Sequence, residues 1–306
     1  MRSGLVIGLI FSLCSVIAQA TPLAVDRVDD GIYVHHGIHQ DLSDDYHGDI
    51  SNLSFIVGSK GIAVVDTGGS FNVGQQLFEA IREVSPLPIL YVINTHIHPD
   101  HIFGNAAFEK EPAQFVGHHK LPDAMELRRD SYMRINQQWL GDAFAGSKII
   151  KPTILVNQET TLDLGDRKLI IKAYPVAHTN TDVTVFDDKT QTLWTGDLLI
   201  AERTPSLDGD IKGWIAVLEK MGASNIKQMI FGHGGAGEEK LWKSHLAKHL
   251  QYLNVLLSDV RASIKKGEVM ESAMNTAASS EKDHWVLFDI VNRRNVNNLY
   301  PSLEWE

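Results

Sequence analysis

The sequence predicts an α/β fold in which two sheets face each other and helices cover the outside. Three observations carry this. Short apolar, β-branched runs alternate with stretches of helical periodicity. The alternation occurs twice, over about 21–150 and again over about 151–306. No repeat, low-complexity linker or break in composition separates the two halves, so 21–306 is expected to be one domain.

The first twenty residues stand apart from it. Arg2 opens with a positive charge, Leu5 to Ile17 is uncharged and apolar, and Ala18-Gln19-Ala20 supplies an A-x-A signature before Thr21. Residues 1–20 are therefore expected to be a secretory signal peptide, placing the mature protein in the periplasm or outside the cell. The apolar run is too short for a comfortable span, so no stable membrane anchor is expected. Cys14 is the only cysteine, and it would leave with the signal. An exported chain with no disulfide follows, without a thiol nucleophile or a thiolate ligand. The whole chain carries 28 basic and 38 acidic residues, a net charge of −10. That balance argues against nucleic acid and anionic membranes as partners.

Along the chain, Gly31–His35, Asn52–Val57 and Ile62–Asp66 read as strands, and Asp66-Thr67-Gly68-Gly69-Ser70 as a turn. Leu77, Ile81 and Val84 recur at helical spacing within Gly74–Val84. Ile89–Ile93 is a buried strand, Phe103–Phe108 starts a helix, Gln114–Gly117 is a strand, and His118–Leu140 is mostly helical. Strands follow at Thr153–Val156, Thr160–Leu162, Lys168–Tyr174, Val183–Asp187 and Thr192–Thr195. Ile211–Met221 is a helix and Lys227–Phe231 a strand. Glu238–Lys266 is a long amphipathic helix whose stripe includes Leu241, Trp242, Leu246, Leu250 and Leu253. The tail to Glu306 is helical.

The densest chemistry lies in Thr95-His96-Ile97-His98-Pro99-Asp100-His101, four potential metal ligands at spacing H-x-H-x-D-H directly after a buried strand. Imidazole and carboxylate are the usual zinc ligands when no thiolate is present. Three later strand ends carry one such residue each: His178 after Tyr174, Asp197 after Trp194-Thr195-Gly196, and His233 within Gly232-His233-Gly234-Gly235. Taken singly, they read as a loop histidine, a helix cap and a turn residue. Together they share one placement, at the edge where α/β folds put their chemistry. Asp66 either accepts the free N–H of a ligating imidazole or only shapes its turn, and spacing does not choose. His35, His36, His39, His118 and His119 could line a substrate pocket but read first as solvated loop histidines; Arg203, just beyond Asp197, could meet an anionic substrate but reads first as a surface residue.

These motifs, in this order, resemble the metallo-β-lactamase superfamily, and the resemblance covers essentially all of 21–306. It implies an αββα sandwich with metals at the edge between the sheets. Carried over by position, His96, His98 and His178 would hold one metal, Asp100, His101 and His233 a second, and Asp197 would bridge them, as in the glyoxalase II-like members. Seven ligands favour two Zn²⁺ ions. The implied activity is metal-dependent hydrolysis of an ester, thioester, lactone or amide, β-lactams among them, through metal-bound hydroxide, with Asp100 as the catalytic acid–base residue. Tyr91-Val92-Ile93-Asn94-Thr95-His96, His101-Ile102-Phe103-Gly104-Asn105 and Asn295-Val296-Asn297-Asn298-Leu299-Tyr300 look like the exported zinc metallohydrolases that accompany quinoprotein dehydrogenases and sulfur oxidation systems. A small-molecule substrate and an association with a quinoprotein dehydrogenase system are the partners this implies. Two rival readings use the same fold: a mononuclear iron persulfide dioxygenase, and a non-catalytic metal-binding protein.

Overall fold

The computed structural model describes residues 20–41 and 46–306. Apart from Ala20, the expected signal peptide and its Cys14 lie outside the described residues. Among those residues no helix is long and apolar enough to cross a membrane.

The first sheet has seven strands in chain order: β1 (Asp26–Asp29), β2 (Ile32–His35), β3 (Leu53–Val57), β4 (Ile62–Val65), β5 (Ile89–Ile93), β6 (Gln114–His118) and β7 (Ile154–Val156). β1 to β4 form an antiparallel meander. From β4 to β7 the pairing is parallel. Parallel neighbours need crossovers, and these are α1 (Phe71–Val84), then the one-turn α2 (Pro99–Ile102), then α3 (Leu121–Leu140). The second sheet holds β8 (Glu159–Asp163), β9 (Lys168–Ala173), β10 (Val183–Asp187), β11 (Thr192–Gly196) and β12 (Gln228–Phe231), in the order β12-β11-β10-β9-β8. Only β11 and β12 pair in parallel, across α4 (Ile211–Gly222). The chain ends in α5 (Trp242–Lys265), α6 (Met270–Thr276) and α7 (Phe288–Leu303).

Side-chain alternation builds three layers of core. In β4, Ala63 and Val65 face the second sheet, where they pack with Leu169, Ile171, Val183, Val185 and Trp194. Ile62 and Val64 face the other way, onto Leu77 and Ile81 of α1. Outside the second sheet, Leu193, Met229 and Phe231 meet Trp214 of α4 and Leu253 and Leu256 of α5. The period of two in strands and 3.6 in helices thus yields helix, sheet, sheet, helix. One buried charge pair lies within this frame: Arg167 Nε stands 3.4 Å from Asp187 Oδ1, both fully buried, and Arg167 also donates to the Val57 and Asp30 carbonyls.

Several boundaries differ from the sequence expectation. β1 was not anticipated, because Asp26-Arg27-Val28-Asp29 has a single apolar residue; it is a polar edge strand. β7 joins the first sheet beside β6, so the halves divide after Val156 rather than at 150. α1 starts at Phe71, earlier than expected, because the Ser70 hydroxyl accepts the Val73 N–H as a cap. Phe103–Phe108 is a 3₁₀ segment, and His118 closes β6, so α3 begins only at Leu121. The long helix begins at Trp242, after a 3₁₀ turn at Glu239–Leu241. That turn rotates Leu241, expected in the buried stripe, out to 57% exposure.

Candidate metal centre

All seven singled-out donors lie at one edge of the sandwich, beyond strand ends. β5 stops at Ile93, and buried Asn94 and Thr95 lead to His96. His98 occupies the N-cap of α2, with Pro99 at its first position, which starts the helix that carries Asp100 and His101. His178 sits in the turn between β9 and β10, Asp197 directly follows β11, and His233 lies two residues beyond β12.

The side chains form two sets. His98 Nδ1 lies 3.1 Å from both His96 Nε2 and His178 Nε2. Asp197 Oδ2 completes that set at 3.7 Å from His96 Nε2 and 3.5 Å from His178 Nε2. In the second set, Asp100 Oδ2 is 3.5 Å from His101 Nε2 and 3.4 Å from His233 Nε2. Asp197 also faces this set, Oδ1 at 3.3 Å from His101 Nε2 and Oδ2 at 3.1 Å from His233 Nε2. Gly232 permits this approach: a Cβ there would come within 1.9 Å of Asp197 Oδ1.

These separations fit metal ions. Donors bound at about 2.0–2.1 Å around a tetrahedral ion stand roughly 3.3–3.4 Å apart. His101 Nε2 and Asp197 Oδ1 are buried without a hydrogen-bond partner among the described residues. Meanwhile the distal nitrogens are held. His101 Nδ1 donates to Asp66 Oδ2 at 2.7 Å, His233 Nδ1 to the Ile50 carbonyl at 2.6 Å, and His98 Nε2 to Asp208 Oδ2 at 3.1 Å. The Thr95 hydroxyl donates to Asp66 Oδ2 at 2.7 Å and accepts from His96 Nδ1 at 3.0 Å. Such bonds fix which nitrogen of each ring is free for a metal. His178 Nδ1 has no such bond among the described residues, and the His178 ring packs edge-on with that of Trp214, centroids 4.9 Å apart.

Charge points the same way. Burial, then the neighbouring His101, holds His96 well below its ordinary pKa; burial, then His98, pushes His178 down to about 3. Both shifts favour the neutral ring, the form whose lone pair a metal takes. For Asp197, burial alone would raise the carboxyl, but His233, His101 and His96 outweigh it and hold the group well below its usual range. Burial would lower His101, yet Asp197, Asp100 and Asp66 together raise it well above normal. Three carboxylates gathered around one buried imidazole are a nest that a cation would satisfy. The centre is closed inward and open at Asp100 and His98, whose side chains are 13% and 17% exposed.

Asp66 does both things the sequence left open. It accepts from His101 and from Thr95, and its own backbone adopts a left-handed φ of 58° in the turn. The other histidines are not donors here. His35 and His118, expected to be solvated, are buried; His35 bridges the Ala24 carbonyl and Asp49, and His118 the Tyr174 carbonyl and the Lys120 N–H. Arg203 is half-buried rather than superficial and donates to the Gln40 carbonyl. The cation beside the centre is Arg128 of α3. Its Nη1 donates to Asp208 Oδ2 at 2.6 Å and to the Tyr132 hydroxyl at 2.9 Å. Sequence reasoning missed Asp208, Arg128 and Tyr132. Their only signal, an i,i+4 pair on a charged helix and an Asp in a Gly-containing loop, is common on protein surfaces.

Comparison with known proteins agrees with this architecture. The family profile described as the metallo-beta-lactamase superfamily matches residues 47–233. An acyl-coenzyme A thioesterase, MBLAC2, from Homo sapiens is 24% identical over 190 residues, covering 55% of this chain and 62% of that protein. A linear primary-alkylsulfatase from Pseudomonas sp. is 40% identical over 52 residues, 17% of this chain and 10% of that one. The chain thus spans less than two thirds of the length of either curated relative. Among solved structures, the sec-alkylsulfatase Pisa1 from Pseudomonas sp. superposes with a TM-score of 0.70 at 16% identity, over 92% of this chain and 50% of the other. A metallo-beta-lactamase from Pontibacter korlensis gives 0.59 at 19% identity, over 75% and 99%.

Proposed function

Because the chain belongs to the metallo-β-lactamase superfamily, we propose that it is an exported hydrolase with two zinc ions, acting on an ester-type bond of a small molecule. The observation that carries this reading is Asp197, whose two oxygens face both donor sets. A mononuclear iron centre would leave Asp100, His101 and His233 converging without a role. The candidate bonds are carboxylic ester, thioester, lactone and amide. The alkylsulfatase and thioesterase names among the relatives add sulfate esters and favour thioesters. Export rests on Ala18-Gln19-Ala20 behind its apolar run, and association with a quinoprotein dehydrogenase system on sequence likeness alone.

Bound metal ions would supply an acidified water and a Lewis acid for the developing oxyanion. The chain's residues do the rest. His96, His98 and His178 would hold the first ion, and Asp100, His101 and His233 the second, with Asp197 between. Asp66, Thr95, Asp208 and the Ile50 carbonyl orient the rings. Asp100 stands at the open side of the centre, where it can take a proton from water and pass it to the leaving group. The Ser51 hydroxyl bonds its carbonyl at 2.5 Å and steadies that turn.

The test is a screen of the metal-loaded protein against nitrophenyl esters, thioesters, lactones, alkyl sulfates and β-lactams, run beside Asp100→Asn. Turnover of at least one class is expected. Asp100→Asn should lose on the order of 10²-fold while folding normally and keeping the first metal. No turnover of any class by protein carrying two metals would overturn the reading, as would an unchanged rate in the variant.

A further inference from the structure

Among the described residues, Arg128 is held by one edge. Its Nη1 is tethered to Asp208 and Tyr132, while Nε and Nη2 have no hydrogen-bond partner among the described residues, and the side chain is 30% exposed. The Nε–Nη2 edge of a guanidinium presents two parallel N–H donors, the geometry that grips two oxygens of one oxyanion. The tether sets where that edge points. Asp208 accepts at the same Oδ2 from His98 of the first donor set and from Arg128. Arg128 and Tyr132 are one helical turn apart on α3, the guanidinium carbon 5.8 Å from the Tyr132 ring, and Arg128 reaches the centre through the Asp208 oxygen it shares with partly exposed His98. Among the described residues, the only carboxylate paired with Arg128 is also engaged by the His98 ring, so its neutralisation of the guanidinium is shared.

We propose that the free edge of Arg128 is an anion subsite, and that the substrate carries an oxyanionic group of the sulfonate, sulfate or carboxylate class beside the bond to be cleaved. This rests on the hydrolase reading above and narrows its substrate. An acidic chain of net charge −10 repels such molecules at long range, so a fixed cation at the mouth gives the selectivity that bulk charge cannot. The same edge disfavours neutral esters, which would leave a desolvated guanidinium without its second acceptor.

The test compares two near-isosteres that cannot be hydrolysed, benzenesulfonate and the neutral methyl phenyl sulfone, by calorimetric titration into the zinc-loaded protein. Wild type should bind the sulfonate at least about tenfold more tightly. Arg128→Gln should keep both metals and narrow that preference to within about threefold, while Arg128→Lys should retain part of it. Tyr132→Phe, which leaves the Asp208 tether intact, is the second probe and should weaken sulfonate binding by loosening the guanidinium. No preference in wild type, including no measurable binding of either compound, overturns the proposal. So does a preference that survives Arg128→Gln with metals unchanged, since the anion would then sit on the metals alone. Turnover and metal content, measured on the same samples, show separately whether the hydrolase reading stands.

Discussion

Replacing Asp66 by Asn separates the two tasks this residue performs. Asn tolerates the left-handed backbone that Asp66 adopts at φ 58°, so the turn survives. The carboxylate's acceptors do not. Oδ2 serves the Thr95 hydroxyl and His101 Nδ1, and Oδ1 serves the Thr95 N–H, all at 2.7–2.8 Å and all buried. An amide can keep its oxygen at the doubly used position only by turning its NH₂ against the Thr95 N–H. One buried donor is left unsatisfied, at a cost of about 1–3 kcal/mol. The charge opposite His101 is lost as well, and losses of this kind lower metal affinity by about 10–100-fold. Asp66→Asn should therefore weaken the Asp100–His101–His233 site by that factor and spare the other set more. Zinc competition with a chromophoric chelator measures both steps, and urea unfolding of the metal-free protein measures the hydrogen-bond cost alone. Wild-type affinity at both sites would mean that Asp66 only shapes the turn.

Gly232→Ala places a Cβ 1.9 Å from Asp197 Oδ1 and 2.8 Å from the Asp197 backbone nitrogen, so it should empty both sites and destabilise the fold by about 3 kcal/mol; two retained metals at wild-type stability would show that β12 can give way. Burial lowers the pKa of His35, but the Asp49 carboxylate and the Ala24 carbonyl outweigh it and raise the group above its ordinary 6.5. Its stabilisation is then complete below the unfolded value and is lost as pH rises through the folded one. His35→Gln should cost about 1 kcal/mol near pH 5.5 and close to nothing near pH 9, read from urea midpoints; an equal cost at both would remove the charge from the account.

What the sequence could reveal follows from how local each signal is. H-x-H-x-D-H places four donors within six residues, and the strand before it is a plain apolar run, so both are readable without any tertiary contact. His178, Asp197 and His233 are weak alone and became informative because all follow apolar strands. Asp66 stayed ambiguous, since its partner His101 lies 35 residues away and only packing shows the bond. Asp208 and Arg128, separated by 80 residues, were invisible for the same reason. β1 was missed because an edge strand needs little apolar surface, and its bonds to β2 are backbone bonds that composition does not encode. Leu241 misled because a helical stripe says nothing about where a 3₁₀ turn ends and the α-helix begins.

The central claim is that seven side chains form one centre for two metals. Elemental analysis of protein purified without chelator, beside His233→Ala and Asp197→Ala, tests it most directly. About two zinc per chain are expected in wild type, about one in His233→Ala, and loss from both sites in Asp197→Ala, whose oxygens face both sets. A single tightly bound iron in wild type, unchanged by His233→Ala, would contradict the account.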